Sequence, residues 1–162
     1  MRSHGLLIFT LCLSFFQCTS QSKHTGMVKD AAFDQTIAAL IDFSVKPISV
    51  SDAQKVPDAV YLDAREKEEF DISHIPGAHF IGYDHWSVDS LHNISKDQTL
   101  IVYCSVGYRS EKIGKKLEAL GFTHVLNLYG SIFEWANEGN ALESRSGKTN
   151  QIHTYNKKWS KW

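Results

Sequence analysis

The apolar positions of this chain fall into short consecutive runs rather than alternating ones. Ala59 to Leu62 form one run that stops at Asp63; "TLIVYC", Thr99 to Cys104, is the strongest; "THVLNLYG", Thr123 to Gly130, is another. Each has strand length, and a strand apolar on successive residues is buried on both faces, as in a parallel sheet covered by helices on each side. Between the runs the spacing changes to that of helices. Phe33, Ile37, Leu40 and Ile41 predict a helix that ends before Pro47. Ile113, Leu117 and Leu120 predict the apolar face of a helix that runs from Ser110 and stops at Gly121. "PISVSDAQKV", Pro47 to Val56, reads as a short strand and turn, with Ser51 or Asp52 as a cap. "EKEEFDIS" reads as a short acidic helix, a Pro76-Gly77 turn and a brief strand at His79 to Ile81 follow, and "SIFEWANEG" is a last short helix ending at Gly139. This alternation predicts the α/β class: a central parallel sheet of about five strands, flanked by helices on both faces, with right-handed crossovers.

The two ends read differently. Arg2 precedes an apolar run of twelve residues, Gly5 to Phe16, and then the polar stretch Gln17 to Ser22. That is the layout of an export signal, and the run is shorter than the roughly 20 residues that span a bilayer as a helix. Residues 1–20 are therefore expected to direct export. Cys18, directly after the run, resembles the acylated cysteine of a bacterial lipoprotein signal; cleavage after Ser20 is the competing outcome. Either leaves the protein periplasmic or lipid-anchored to the cell envelope, with the membrane met only through the signal or the lipid. Residues 21–32 read as a polar tether, 33–142 as the domain, and 143–162 as a tail packing on the domain or extending from it. In the tail Tyr155, Trp159 and Trp162 sit among lysines, and the expectation is that these rings clamp it to the domain.

Charge and composition narrow the partners. Lys plus Arg number 17 against 18 Asp plus Glu, a net of −1 with no basic block, so nothing marks a nucleic-acid surface. With 162 residues the chain builds one domain of ordinary size, expected as a monomer. Its cysteines are Cys12, Cys18 and Cys104, so once the signal leaves no disulfide can form within the domain. His79, His85 and His92 lack the paired spacing of a metal site, and neither a metal nor another cofactor is expected.

The chemistry concentrates at Cys104. It ends the strongest strand, and in an open parallel sheet ligands bind beyond the carboxyl ends of the strands. Ser105, Val106, Gly107, Tyr108 and Arg109 make a tight connection to the following helix, Gly107 giving it conformational freedom. Such a loop can turn successive N–H groups inward as an anion cradle, with a helix N-terminus behind it. A free thiol has a pKa of about 8.5. A helix dipole supplies typically about 0.3–1 kcal/mol, less than the roughly 1.36 kcal/mol of one pKa unit. Several charge-assisted bonds of about 1.5–3 kcal/mol each are needed to hold a thiolate, and Arg109 adds a fixed positive charge.

"YCSVGYRS" resembles the active-site loop of the rhodanese family, cysteine followed by x-x-Gly-x-Arg. "YLDAREKEEFDISHIPGAHFIGY" resembles the family's upstream signature at Leu62 to Glu66, Glu69-Phe70 and His74 to Ala78. The resemblance covers about Val45 to Asn140. It implies a single-domain rhodanese-like fold and a sulfurtransferase in which Cys104 attacks the outer sulfur of a small anionic donor such as thiosulfate, releases sulfite and carries a persulfide. A thiol, a protein thiol or cyanide then accepts the sulfur. The persulfide is an anion one atom longer than the thiolate, so a ring of N–H donors serves both half-reactions.

Asp63 ends a strand and should lie at the same sheet edge as Cys104, where with Arg65 it braces the loop or pairs within the turn near Glu66 and Glu69. His74 reads as a hydrogen-bonded turn histidine rather than a base. Two other functions stay open on the residues alone: a cysteine-dependent phosphatase or arsenate reductase, whose loop in this fold is one residue longer, and a non-catalytic sulfur-binding module of the envelope. An oxidising periplasm would also demand a shielded pocket or a reductant for a low-pKa thiol.

Overall fold

The computed structural model describes residues 25–162. The expected export signal, with Cys12 and Cys18, and the first residues of the expected tether lie outside these. In chain order the elements are α1 (Ala31–Ala38), β1 (Pro47–Ile48), α2 (Val50–Ala53), β2 (Val60–Asp63), α3 (Lys67–Ile72), β3 (His79–Phe80), a 3-10 turn (Asp89–Leu91), β4 (Thr99–Tyr103), α4 (Tyr108–Ala119), β5 (His124–Leu128), α5 (Ser131–Asn137), β6 (Leu142–Ser144) and β7 (Gly147–Thr149). The first five strands form one parallel sheet in the order β1-β5-β4-β2-β3. This is the expected architecture, with β4 at the centre.

Consecutive apolar residues of β4 serve opposite faces, as the period of two in a strand requires. Leu100 and Val102 join Leu62, Ile113, Leu117 and Val125 in one core, under α4. Ile101 and Tyr103 join Ile37, Val50, Ile132 and Phe133 in the other, under α1, α2 and α5. Burying both faces leaves the carboxyl end of β4 as the place where the chain emerges, and Cys104 is the next residue.

Several local expectations need correction. The cap of α2 is Ser49, whose side chain accepts from the N–H of Asp52; Ser51 and Asp52 fall inside the helix because Val50 and Ala53 must both turn into the core. The helix after Cys104 begins at Tyr108, two residues before Ser110, and Leu120 at its end is 46% exposed instead of sharing the buried face of Ile113 and Leu117. Residues 25–30, expected within the tether, are held to the domain: the N–H and hydroxyl of Thr25 donate to the Asp34 carboxylate, the Lys29 N–H donates to Glu134, and Val28 is buried. Leu142–Ser144, which straddles the expected boundary of domain and tail, and Gly147–Thr149 pair as an antiparallel hairpin, attached at the edge through a bridge between His74 and Glu143. Its residues are mostly polar and half-exposed, so no apolar run announced it.

The tail rings do clamp. Trp162 stacks on Phe33 with centroids 5.0 Å apart, and Trp159 and Ile152 pack on the same core. Tyr155 is the exception, 55% exposed.

Candidate active site

Cys104 is buried between two helix starts. On one side, the N–H groups of Ile132 and Phe133 at the beginning of α5 donate to the carbonyls of Cys104 and Ser105 at 3.2 and 3.3 Å, and the Cys104 N–H donates to Ser131 Oγ at 3.1 Å. A planar trans peptide carries its C=O and N–H on opposite sides. Fixing those two carbonyls toward α5 therefore turns the N–H groups of Ser105 and Val106 away from it. On the other side stands α4, whose first N–H groups have no partner within the helix. Gly107, the residue before α4, has φ of 122°, a backbone open to glycine and strained for any residue with a Cβ.

That conformation delivers a donor. The Gly107 N–H donates to Cys104 Sγ at 3.2 Å, and Ser110 Oγ lies 3.6 Å from the same sulfur. The Ser110 hydroxyl is also 2.7 Å from Asn127 Oδ1, while Asn127 Nδ2 donates to the Gly107 carbonyl at 3.0 Å. Asn127 thus positions both groups that reach the sulfur. Burial pushes the Cys104 thiol up, but the positive charge of Arg109 and the hydrogen bonds from Ser110 and Gly107 outweigh it and leave the thiol more acidic than usual.

Arg109 does not project as a free cation. It forks onto Glu69, Nη1 to Oε2 at 2.7 Å and Nη2 to Oε1 at 2.8 Å, and also donates to Ser105 Oγ, which donates to Glu69 in turn. Burial works against the Arg109 charge, yet the Glu69 bonds raise its pKa further above the ordinary range. Burial likewise raises the Glu69 carboxyl, and Arg109 more than reverses this to hold it below the ordinary 4.5.

Cys104, Ser105, Val106, Tyr108 and Arg109 all line one cavity of about 360 Å³. Gly107 contributes its N–H rather than surface. Asp63 and Arg65 sit at the same sheet edge, both fully buried, but their bonds run to each other and to the Ser73 carbonyl. Bracing of the loop falls to Glu69 instead. His74 is the expected turn histidine, its Nδ1 on the Phe70 carbonyl at 2.9 Å and its ring stacked on Phe70.

Glu69, Ser110, Asn127 and Ser131 were not picked out as site residues from sequence. Asn127 carried a signal all the same, a polar side chain inside an apolar strand, which must find partners once buried. Glu69 sits three residues into α3 and closes a capping box on the Glu66 N–H, so its local pattern reads as a helix cap, and its place beside Phe70 in the upstream signature does not tell which side chain it meets.

A thiol at the end of the central strand of a parallel sheet, made more acidic by the Arg109 charge and by hydrogen bonds from Ser110 and Gly107 and set before a helix, defines a cysteine-dependent α/β domain. The model of the rhodanese-like domain family matches residues 47–138, and the chain belongs to that family, whose chemistry is cysteine-based sulfur transfer in general. Among curated proteins, the tRNA uridine(34) hydroxylase of Listeria monocytogenes serotype 4a is 34% identical over 94 residues, covering 54% of this chain and 29% of that protein. The protein of the same name from Salmonella newport is 28% identical over 120 residues, 70% of this chain and 33% of that protein. The chain spans about a third of the length of these relatives. A crystal structure of a Bacillus halodurans protein superposes with a TM-score of 0.57 at 25% identity, covering 70% of this chain and 82% of that one. A rhodanese-like domain protein of Staphylococcus aureus gives 0.51 at 28% identity, covering 62% and 98%.

Proposed function

We propose that this protein is a sulfurtransferase that moves a sulfane sulfur from thiosulfate or a similar donor to a thiol or cyanide through a persulfide on Cys104. The carrying observation is the Gly107 N–H on a buried, acidified Cys104 Sγ. In the first half-reaction the Cys104 thiolate attacks the outer sulfur of thiosulfate; the donor's S–S bond breaks and its electron pair leaves with sulfite. The new persulfide is again a monoanion, so the donors that held the thiolate hold it without gaining or losing charge. In the second, an acceptor thiolate or cyanide takes the outer sulfur and the electron pair returns to Sγ.

A phosphatase reading is weakened by Arg109: a guanidinium forked onto Glu69 has its bidentate face occupied and does not offer it to a phosphate. A tRNA substrate, as named for the curated relatives, is disfavoured by the near-balanced charge of 17 basic against 18 acidic residues. Arg2 and the apolar run Gly5 to Phe16 support operation outside the cytoplasm, which membrane fractionation beside Cys18→Ser tests.

The deciding experiment is thiosulfate-to-cyanide transfer by the wild type and by Cys104→Ala, with intact mass after thiosulfate treatment. Transfer by the wild type alone, with the added mass of one sulfur atom, is expected. Equal rates for the two would overturn the proposal.

A further inference from the structure

The cavity over Cys104 is larger and less polar than a small anion requires. Thiosulfate has five heavy atoms, whereas about 360 Å³ falls in the ~300–1,000 Å³ range that takes drug-sized ligands. Beyond the cysteine loop the wall is largely apolar and aromatic, with Leu40, Tyr83, and from the tail Tyr155 and Trp159, beside the two carboxylates of Glu66 and Asp84. These two tail rings lie outside the matched family segment, residues 47–138, so they are an addition of this chain to the shared site.

Both rings are held in place. Trp159 packs on the core beside Trp162, which is stacked on Phe33. Tyr155 is presented at φ of 62°, a left-handed conformation costly for a residue with a Cβ, fixed by its N–H on His153 Nδ1 at 3.1 Å. Its ring faces the Arg109 guanidinium at 5.0 Å. Strain of this kind is kept where the surroundings enforce it, and ligand clamps are one such place.

The charges on the same wall select further. Glu66 and Asp84 line the cavity, and its one guanidinium, Arg109, already has its fork engaged by Glu69. A small donor keeps its charge at the N–H groups of the cysteine loop, whereas a charge carried farther out on the body of an entering molecule meets these carboxylates without a free cation lining the cavity among the described residues.

We infer that Tyr155 and Trp159 form an acceptor subsite, selecting a small thiol with an apolar or aromatic body and no charge beyond the thiolate. The inference rests on the sulfurtransferase reading and names the class of its acceptor. The thiolate of that acceptor attacks the outer sulfur of the Cys104 persulfide while its ring lies against Tyr155 and Trp159. The Cys104 S–S bond breaks, an acceptor S–S bond forms, and the electron pair returns to Cys104 Sγ, one monoanion replacing another.

The test compares two thiols of similar acidity, phenylmethanethiol and 2-mercaptoethanesulfonate, as acceptors from thiosulfate-loaded protein, with cyanide as reference. The expected kcat/KM ratio favours phenylmethanethiol by about tenfold or more, the scale of one or two apolar groups held in a pocket. Tyr155→Ala, at an exposed position, should collapse that ratio, and Tyr155→Phe should restore it; Trp159→Ala should act in the same direction. Equal kcat/KM for the two thiols, or a ratio indifferent to Tyr155→Ala, overturns the inference. If Cys104 loads sulfur and passes it to cyanide without this preference, the subsite alone fails. Absence of any sulfur on Cys104 removes the sulfurtransferase reading with it.

Discussion

Arg109 and Glu69 are joined by two parallel hydrogen bonds of 2.7 and 2.8 Å, with the Glu69 side chain 3% and that of Arg109 12% exposed. The pair locks the end of the cysteine loop to α3, and it sets the electrostatics of Cys104, since the guanidinium that stabilises a thiolate is itself shared with a carboxylate. Removing the carboxylate should therefore separate stability from reactivity.

Glu69→Gln is expected to destabilise the protein by about 3 kcal/mol, the cost of leaving a buried charge without its partner. It should also make the Cys104 thiol more acidic, because Arg109 then acts on the sulfur undivided. Urea midpoints read the first effect and the pH dependence of iodoacetamide alkylation reads the second. A stability loss with an unmoved alkylation profile would show that Arg109 does not act on the sulfur.

The same carboxylate gives stability a pH dependence. Glu69 titrates below 4.5 in the folded protein, where burial raises it and Arg109 lowers it more. A depressed carboxyl contributes its stability in full above its unfolded value and loses it as pH falls through the folded one. The stability gap between wild type and Glu69→Gln should be constant from neutral pH down to 4.5 and narrow below it. Denaturant titrations across that range would expose a gap that stays unchanged or widens below 4.5, contrary to this account.

Gly107→Ala isolates the main-chain donor. A Cβ there would meet nothing nearer than 3.8 Å, so space is available and the obstacle is the backbone angle of 122°. The strain costs about 1–3 kcal/mol, and relieving it swings the N–H off Sγ. The thiol should then become less acidic, closer to an ordinary cysteine, and sulfur transfer should fall. Alkylation as a function of pH gives the answer; a variant that still titrates as the wild type does would assign the acidity to other groups.

Asp63→Asn should cost stability and spare chemistry. Asp63 and Arg65 are both fully buried and bond to each other, and Arg65 Nη1 has no hydrogen-bond partner among the described residues. Loss of the negative partner is worth about 3–5 kcal/mol, while the folded fraction should keep its rate of sulfur transfer per active thiol. A rate lost in proportion beyond the unfolded fraction would place Asp63 within the site after all.

The chain's own order of residues determined the sheet and the position of its reactive end. Runs such as "TLIVYC" can only be buried on both faces, and a parallel strand so buried must release the chain at its carboxyl edge, where Cys104 stands. The close pairings Gly107 to Cys104 and Asp63 to Arg65 also lie within a few residues and could be anticipated from the local pattern. What decides the character of the site comes from farther away: Glu69 reaches Arg109 across 40 positions, Asn127 reaches Gly107 across 20, and the tail lays Tyr155 against Arg109. Polar and aromatic side chains of that kind have no periodicity to mark them. Their partners are chosen by how the helices and the tail pack over the sheet edge, and that packing is a property of the folded whole.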